Sequence, residues 1–215
     1  IEDAAELDLA GGRIVRKGSG EALTDLARFL RGLHFSDRAE LVMTTFYYEP
    51  PSVHQDKGFK GDVSAAYAWA AQVVEVEVDT DTGFVKLLKH WAVEDCGRVV
   101  NPMLVDEQMR GAIVQGIGGA LFEECLYDTD GTLRNGNMAD YLVPMAAEMP
   151  DIVVSHVQSP TRSSLLGAKG AGEAGTAGAP AAVMNAINDA LAPFGVRVSS
   201  QPITPEKILR ALGKI

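Results

Sequence analysis

From Gly167 to Gly178 the chain reads Gly-Ala-Lys-Gly-Ala-Gly-Glu-Ala-Gly-Thr-Ala-Gly, with five glycines and four alanines. Such a run cannot fill a hydrophobic core. Its benefit lies in letting backbone N–H groups approach something else closely. Glu173 is the only acid in it and Lys169 the only base. A carboxylate among small apolar neighbours is expected to lose hydration, which raises its pKa toward the range useful for proton transfer. The competing reading is an acid before an Ala-rich helix, favoured there by the helix macrodipole.

The length of 215 residues permits one large domain or two small ones. A net charge of -10 argues against nucleic acid or anionic lipid as partners, because neither gains from an acidic surface. No apolar stretch approaches the roughly 20 residues of a membrane helix. The densest, Gly111 to Leu121, is broken by Gln115 and several glycines. Two cysteines, Cys96 and Cys125, offer neither a disulfide framework nor a CxxC pair for zinc or iron-sulfur, so free thiols in a reducing cytoplasm are expected. The first residues, Ile-Glu-Asp-Ala-Ala-Glu, carry no leader pattern and suggest the interior of a longer chain or a subunit cut from one.

Apolar spacing predicts a helix over Glu21 to Arg31 stopping at Gly32, and composition predicts a strand over Leu41 to Tyr48. Ser52 to Asp62 reads as a loop. Tyr67 to Val78 and Phe84 to Val93, joined by Asp79-Thr-Asp-Thr-Gly83, predict a hairpin. Asn101-Pro102 predicts the start of a long helix over Met103 to Leu126, whose glycines each cost up to about 1 kcal/mol of helix propensity and imply close packing or ligand contact. A turn at Asp128 to Gly131, short strands at Tyr141 to Pro144 and Ile152 to Val157, and helices over Pro180 to Leu191 and Thr204 to Leu212 complete the reading. Irregular mixing of strands and helices favours an α+β fold.

Six stretches in this order carry a resemblance: QVVEVEVDTDTG (72–83), EDCGRVVNP (94–102), GAIVQGIGGALFEE (111–124), NGNMADYLVP (135–144), GAKGAGEAG (167–175) and ITPEKI (203–208). Together they resemble the C-terminal part of the molybdenum-binding subunit of the molybdenum hydroxylases, the xanthine oxidase and aldehyde oxidoreductase family. The resemblance implies a molybdopterin-binding domain with hairpins, one long glycine-containing helix and a C-terminal helical segment. It implies a molybdenum-molybdopterin cofactor, in its simple or cytosine dinucleotide form, with no metal ligand from the protein. Glu173 falls at the family's catalytic glutamate, the base that takes a proton while oxygen from water is delivered to an electron-poor carbon. Gln115 matches a glutamine contacting the cofactor, and Gly116 accompanies it. Lys169, Gly170, Ala171 and Gly172 match a loop that approaches the cofactor. Gln108 follows Glu107 where the family has Gly-Gln, which weakens a cofactor role for it.

Full members also need 2Fe-2S clusters and commonly FAD. The resemblance therefore implies partner chains or domains that carry them, together with the rest of the molybdenum subunit. The expected activity is oxidation of an N-heterocycle, an aldehyde or a similar carbon. One alternative is an assembly or scaffold module that kept the fold without the chemistry. Another, a nucleotide enzyme, is weak because GAKGAG lacks the GK[ST] ending. His34, His54, His90 and His156 share no spacing and read as ordinary surface or core histidines.

Overall fold

A computed structural model describes residues 3–37, 45–49 and 54–215. It divides into two compact units, residues 1–49 and 50–215. The smaller is an antiparallel sheet, β1 (Leu7–Ala10), β2 (Arg13–Arg16) and β3 (Ala22–Asp25), followed by α1 (Leu26–His34). Here the helix starts five residues later than predicted. Ala22–Asp25 is claimed by pairing with β2, and the Asp25 carboxylate then caps the helix through Arg28 N–H at 2.9 Å. Gly32 lies inside α1. The predicted strand at Leu41 to Tyr48 falls partly outside the described residues, and residues 45–49 have no regular structure. So does the start of the Ser52 to Asp62 loop, whose remaining residues are irregular as expected.

The larger unit is built on β4 (Trp69–Val78), β5 (Val85–Asp95) and β6 (Asp151–His156), with β4 antiparallel and β6 parallel to β5. The predicted hairpin is present. Asp79 makes its turn, accepting from Asp81 N–H at 2.8 Å while its carbonyl takes Gly83 N–H at 2.7 Å. In β5 the ladder slips between Glu75↔Lys89 and Val76↔Leu87, leaving Leu88 unmatched. This bulge changes which side chains face inward: Val85 and Leu87 before it, His90, Ala92 and Glu94 after it. Lys89 and Trp91 are turned to the outer face, where the ammonium sits 5.4 Å from the indole centroid.

Two helices cover the inner face. α2 (Pro102–Leu121) starts as predicted, with Asn101 capping Leu104 N–H and Pro102 in the first turn. It stops five residues early, because Phe122 and Glu123 N–H both return to the Gly118 carbonyl. α3 (Ala174–Leu191) starts six residues before the predicted Pro180, so half of the small-residue run is helix and Pro180 lies inside it. Met109, Ile113 and Ile117 of α2 face Ala179, Val183, Ile187 and Leu191 of α3 at four-residue spacing, all fully buried. Each large side chain among them contributes about 1.5–3 kcal/mol by leaving water. Ile203, just before α4 (Pro205–Ala211), and Ile208, within it, close this core, and Thr204 caps the helix as predicted. Tyr141 to Pro144 is not a strand. No helix among the described residues is long and apolar enough to cross a membrane.

The helices touch through small residues. A Cβ on Gly116 would lie 2.7 Å from Ala179 Cβ and 3.0 Å from Pro180 Cδ; one on Gly175 would lie 2.7 Å from both Ala112 Cβ and the Met109 carbonyl. Gly116→Val is therefore expected to destabilise by about 1–3 kcal/mol through overpacking, read as a lower urea midpoint with an unchanged slope.

Inside this core His90 has no exposed surface, and burial lowers its pKa from 6.5 to about 4. A base with a depressed folded pKa contributes stability that is complete above pH 6.5 and is lost as pH falls toward 4. At about 1.4 kcal/mol per unit the loss is roughly 3 kcal/mol. Calorimetry between pH 7 and 4.5 should show a steeper fall in Tm for the native protein than for His90→Gln.

Candidate active site

Glu173 stands at the N-cap of α3, and its side chain makes no capping bond there. Gln115 lies two turns past Gln108 on the same face of α2. A concavity of about 350 Å³ brings Glu173 and Gln115 together with Gly172, Thr176 and Ala177. A larger hollow of about 700 Å³ lies toward the C-terminal end of α2 and shares no lining residue with it. Among the sequence-predicted residues, Gln115, Gly172 and Glu173 therefore converge. Gly170 and Gly172 face open space, since a Cβ on either would meet nothing within 4 Å.

Two predicted residues sit elsewhere. Gly116 is buried in the α2–α3 crossing, where its missing side chain serves helix packing. Lys169 is about nine-tenths buried, with its ammonium 2.9 Å from Asp95 Oδ2 and 2.9 Å from Ser159 Oγ. The Ser159 hydroxyl foremost, and then Lys169, hold the Asp95 carboxyl well below the usual carboxylate range. Ala168 bridges to Gly97, Lys169 N–H donates to the Cys96 carbonyl at 2.7 Å, and Arg98 N–H donates to the Gly167 carbonyl at 3.0 Å. Gly97 has φ 70° and packs directly against the Gly167 carbonyl, so this junction admits no side chain. Lys169 thus latches the loop onto the end of β5.

The expectation of a dry Glu173 is corrected by the structure: the carboxylate is exposed on this chain. Neighbours too small to crowd it are also too small to cover it. Any dehydration must come from whatever occupies the concavity or from other parts of the protein.

Sequence reasoning missed the groups that hold the loop in place. Gln108 Nε2 donates to the Gly172 carbonyl at 3.2 Å, and Thr176 Oγ1 donates to the Ala112 carbonyl at 3.0 Å. Gln72 Nε2, from β4, donates to the carbonyls of Gly175 at 2.8 Å and Ala174 at 3.3 Å. The signal was available. Gln72 occupies the inward register of a strand whose other inward residues are Val74, Val76 and Val78, and an inward amide needs partners.

In the sheet, Glu94 and His156 are paired across β5 and β6. His156 Nδ1 lies 3.1 Å from Glu94 Oε1, off hydrogen-bond alignment, and Nε2 lies 2.5 Å from Asp106 Oδ1 on α2. Burial pushes the Glu94 carboxyl up in pKa, opposed by His156. This unit ties α2 to the sheet. Among the described residues no group of three His, Cys, Asp or Glu side chains could hold a metal ion.

The arrangement offers an exposed carboxylate, an amide with donor and acceptor, and a bare glycine backbone around one hollow. Those features fit a group that brings its own metal ligands and is recognised by hydrogen bonds.

Comparison with known proteins bears on what that group is. The molybdopterin cofactor-binding domain family matches residues 2–150, a stretch that holds Gln72, Gln108 and Gln115 and ends before Glu173. The large subunit of nicotine 6-hydroxylase from Paenarthrobacter nicotinovorans is 48% identical over 136 residues, 63% of this chain and 17% of that protein. The gamma subunit of the 6-hydroxypseudooxynicotine dehydrogenase complex from the same organism is 35% identical over 96% of this chain and 25% of its own length. The crystal structure of quinoline 2-oxidoreductase from Pseudomonas putida 86 superposes with a TM-score of 0.75 at 32% identity, covering 99% of this chain and 26% of that one. The chain thus spans about a quarter or less of the length of these relatives. With an α+β fold, a shared core and a family match over more than half its length, the chain belongs to the molybdopterin-binding subunits of the molybdenum hydroxylases.

Proposed function

We propose that residues 1–215 form the C-terminal portion of a molybdenum cofactor-binding subunit, and that the chain works only together with the rest of that subunit. The enzyme oxidises an electron-poor carbon, of an N-heterocycle foremost and otherwise of an aldehyde or similar compound, with water as the oxygen source. The convergence of Glu173 and Gln115, from separate helices, on one open hollow carries this reading. Names of relatives that act on nicotine and quinoline support the heterocycle.

When bound, molybdenum-molybdopterin, in its simple or cytosine dinucleotide form, supplies the oxygen-transfer and two-electron chemistry. The chain supplies the rest. Glu173 holds the proton released as the carbon is oxidised. Gln115 orients the cofactor or substrate, donating from its amide nitrogen and accepting at its oxygen. Gly170, Ala171 and Gly172 let the backbone come close where a side chain would intervene. Covering the hollow with cofactor and partner domains excludes water from around Glu173. Partner chains or domains would hold 2Fe-2S and FAD centres, which would supply the electron-accepting chemistry, in a reducing cytoplasm where Cys96 and Cys125 remain free thiols. A scaffold module would gain nothing from three side chains holding the backbone under an exposed acid.

In the assembled enzyme Glu173→Gln should keep molybdenum and pterin at native levels while turnover falls about 10²–10⁴-fold. Unchanged turnover removes Glu173 from this role. Lys169→Met and Asp95→Asn should be strongly non-additive in thermal stability, coupling by about 0.5–3 kcal/mol, because both break one latch. Additive effects, with pterin lost only from the lysine variant, would return Lys169 to the cofactor.

A further inference from the structure

The proposed base has no capping bond of its own, so its direction depends on how the backbone of residues 172–175 is held. Pro180 weakens the helix's own grip. It has no N–H to give the Thr176 carbonyl, and the first turn of α3 is short of one internal bond. Gln72 supplies support from outside, with its amide nitrogen on two carbonyls of that turn. The amide lies flat against the helix because position 178 is glycine; a Cβ there would lie 3.0 Å from Gln72 Nε2.

Gln72 is held in turn. Its Oε1 lies 3.0 Å from Nε2 of His90, which is fully buried. Counting donors fixes the arrangement. With both amide hydrogens of Gln72 directed to carbonyls, its oxygen can only accept, so the single proton of a neutral imidazole sits on His90 Nε2. The opposite amide orientation would set its oxygen against two carbonyl oxygens. Nδ1 is then bare, in agreement with the lack of any hydrogen-bond partner for it among the described residues. The β5 bulge at Leu88 turns this imidazole inward.

We propose that His90 and Gln72 act as a positioning pair: the imidazole fixes the amide, and the amide fixes the turn that aims Glu173 into the hollow. This rests on the reading of Glu173 as the base, and it names residues which that reading does not. Neither residue of the pair lines the hollow. Loss of the pair should therefore lower kcat and leave KM and cofactor content near native.

The test is made in the assembled enzyme. Gln72→Met keeps the length of the side chain and removes its hydrogen bonds. It should lower kcat about 10–100-fold, the scale of a misplaced catalytic group, with KM changed less than about 3-fold. Hydrogen exchange, followed by mass spectrometry on a peptide covering residues 173–180, should quicken about 10-fold or more. Gln72→Glu, which puts a second oxygen against the two carbonyls, should be at least as damaging. His90→Gln can still donate to Gln72 and should retain several times the kcat of His90→Leu. If Glu173→Gln lowers turnover but Gln72→Met leaves kcat and exchange unchanged, the positioning pair is wrong and the base stands. If Glu173→Gln has no effect while exchange still quickens in Gln72→Met, the anchor stands and the catalytic reading fails. Should Gln72→Met lose its molybdenum, the two His90 variants decide, and equal kcat in both overturns the proposal.

Discussion

Contact between α2 and α3 through residues almost without side chains is the constraint on which the site depends. Gly116 against Ala179, and Ala112 against Gly175, let two backbones meet where larger residues would hold them apart. That approach brings Gln115, on a neighbouring face of α2, alongside Glu173 at the head of α3. It also lets Thr176 reach the Ala112 carbonyl. The helix propensity lost at the glycines is offset by core burial of Met109, Ile113, Ile117, Val183 and Ile187.

A second constraint sits in the sheet. Without the bulge at Leu88, strict alternation along β5 would place Lys89 and Trp91 in the core and His90 and Glu94 outside. One unmatched residue reverses this assignment. It gives the interior two titratable groups, each with a task toward a neighbouring element: His90 toward Gln72 and α3, Glu94 toward His156 and α2. Their burial is a thermodynamic cost, and it fits a region where placement matters more than stability.

Much of the fold was legible because local chemistry and tertiary structure agree. The Asp79 turn, the Asn101-Pro102 and Thr204-Pro205 helix starts, and the four-residue apolar spacing of α2 carry their own signals. The first helix was misplaced because sheet pairing took Ala22–Asp25, a nonlocal interaction that spacing does not reveal. α3 was started late because glycine and alanine carry no periodicity and Pro180 looked like a beginning. Within the candidate site, Glu173, Gln115 and Gly172 could be found from the sequence through resemblance. For Gln72 and Gln108 the sequence signals at most that an inward amide needs partners, because the carbonyls they hold lie far along the chain, and the Lys169–Asp95 pair joins residues 74 apart, which spacing does not reveal.

The proline within α3 has a mechanical consequence. With one backbone bond missing between its opening turn and its remainder, the segment that bears the acid is held less by the helix itself and more by its neighbours. The side chains that brace that turn, Gln72 and Gln108, are distinct from Val183, Ile187 and Leu191, which pack the remainder. Direction at the head of the helix and stability along its length therefore rest on separate residues.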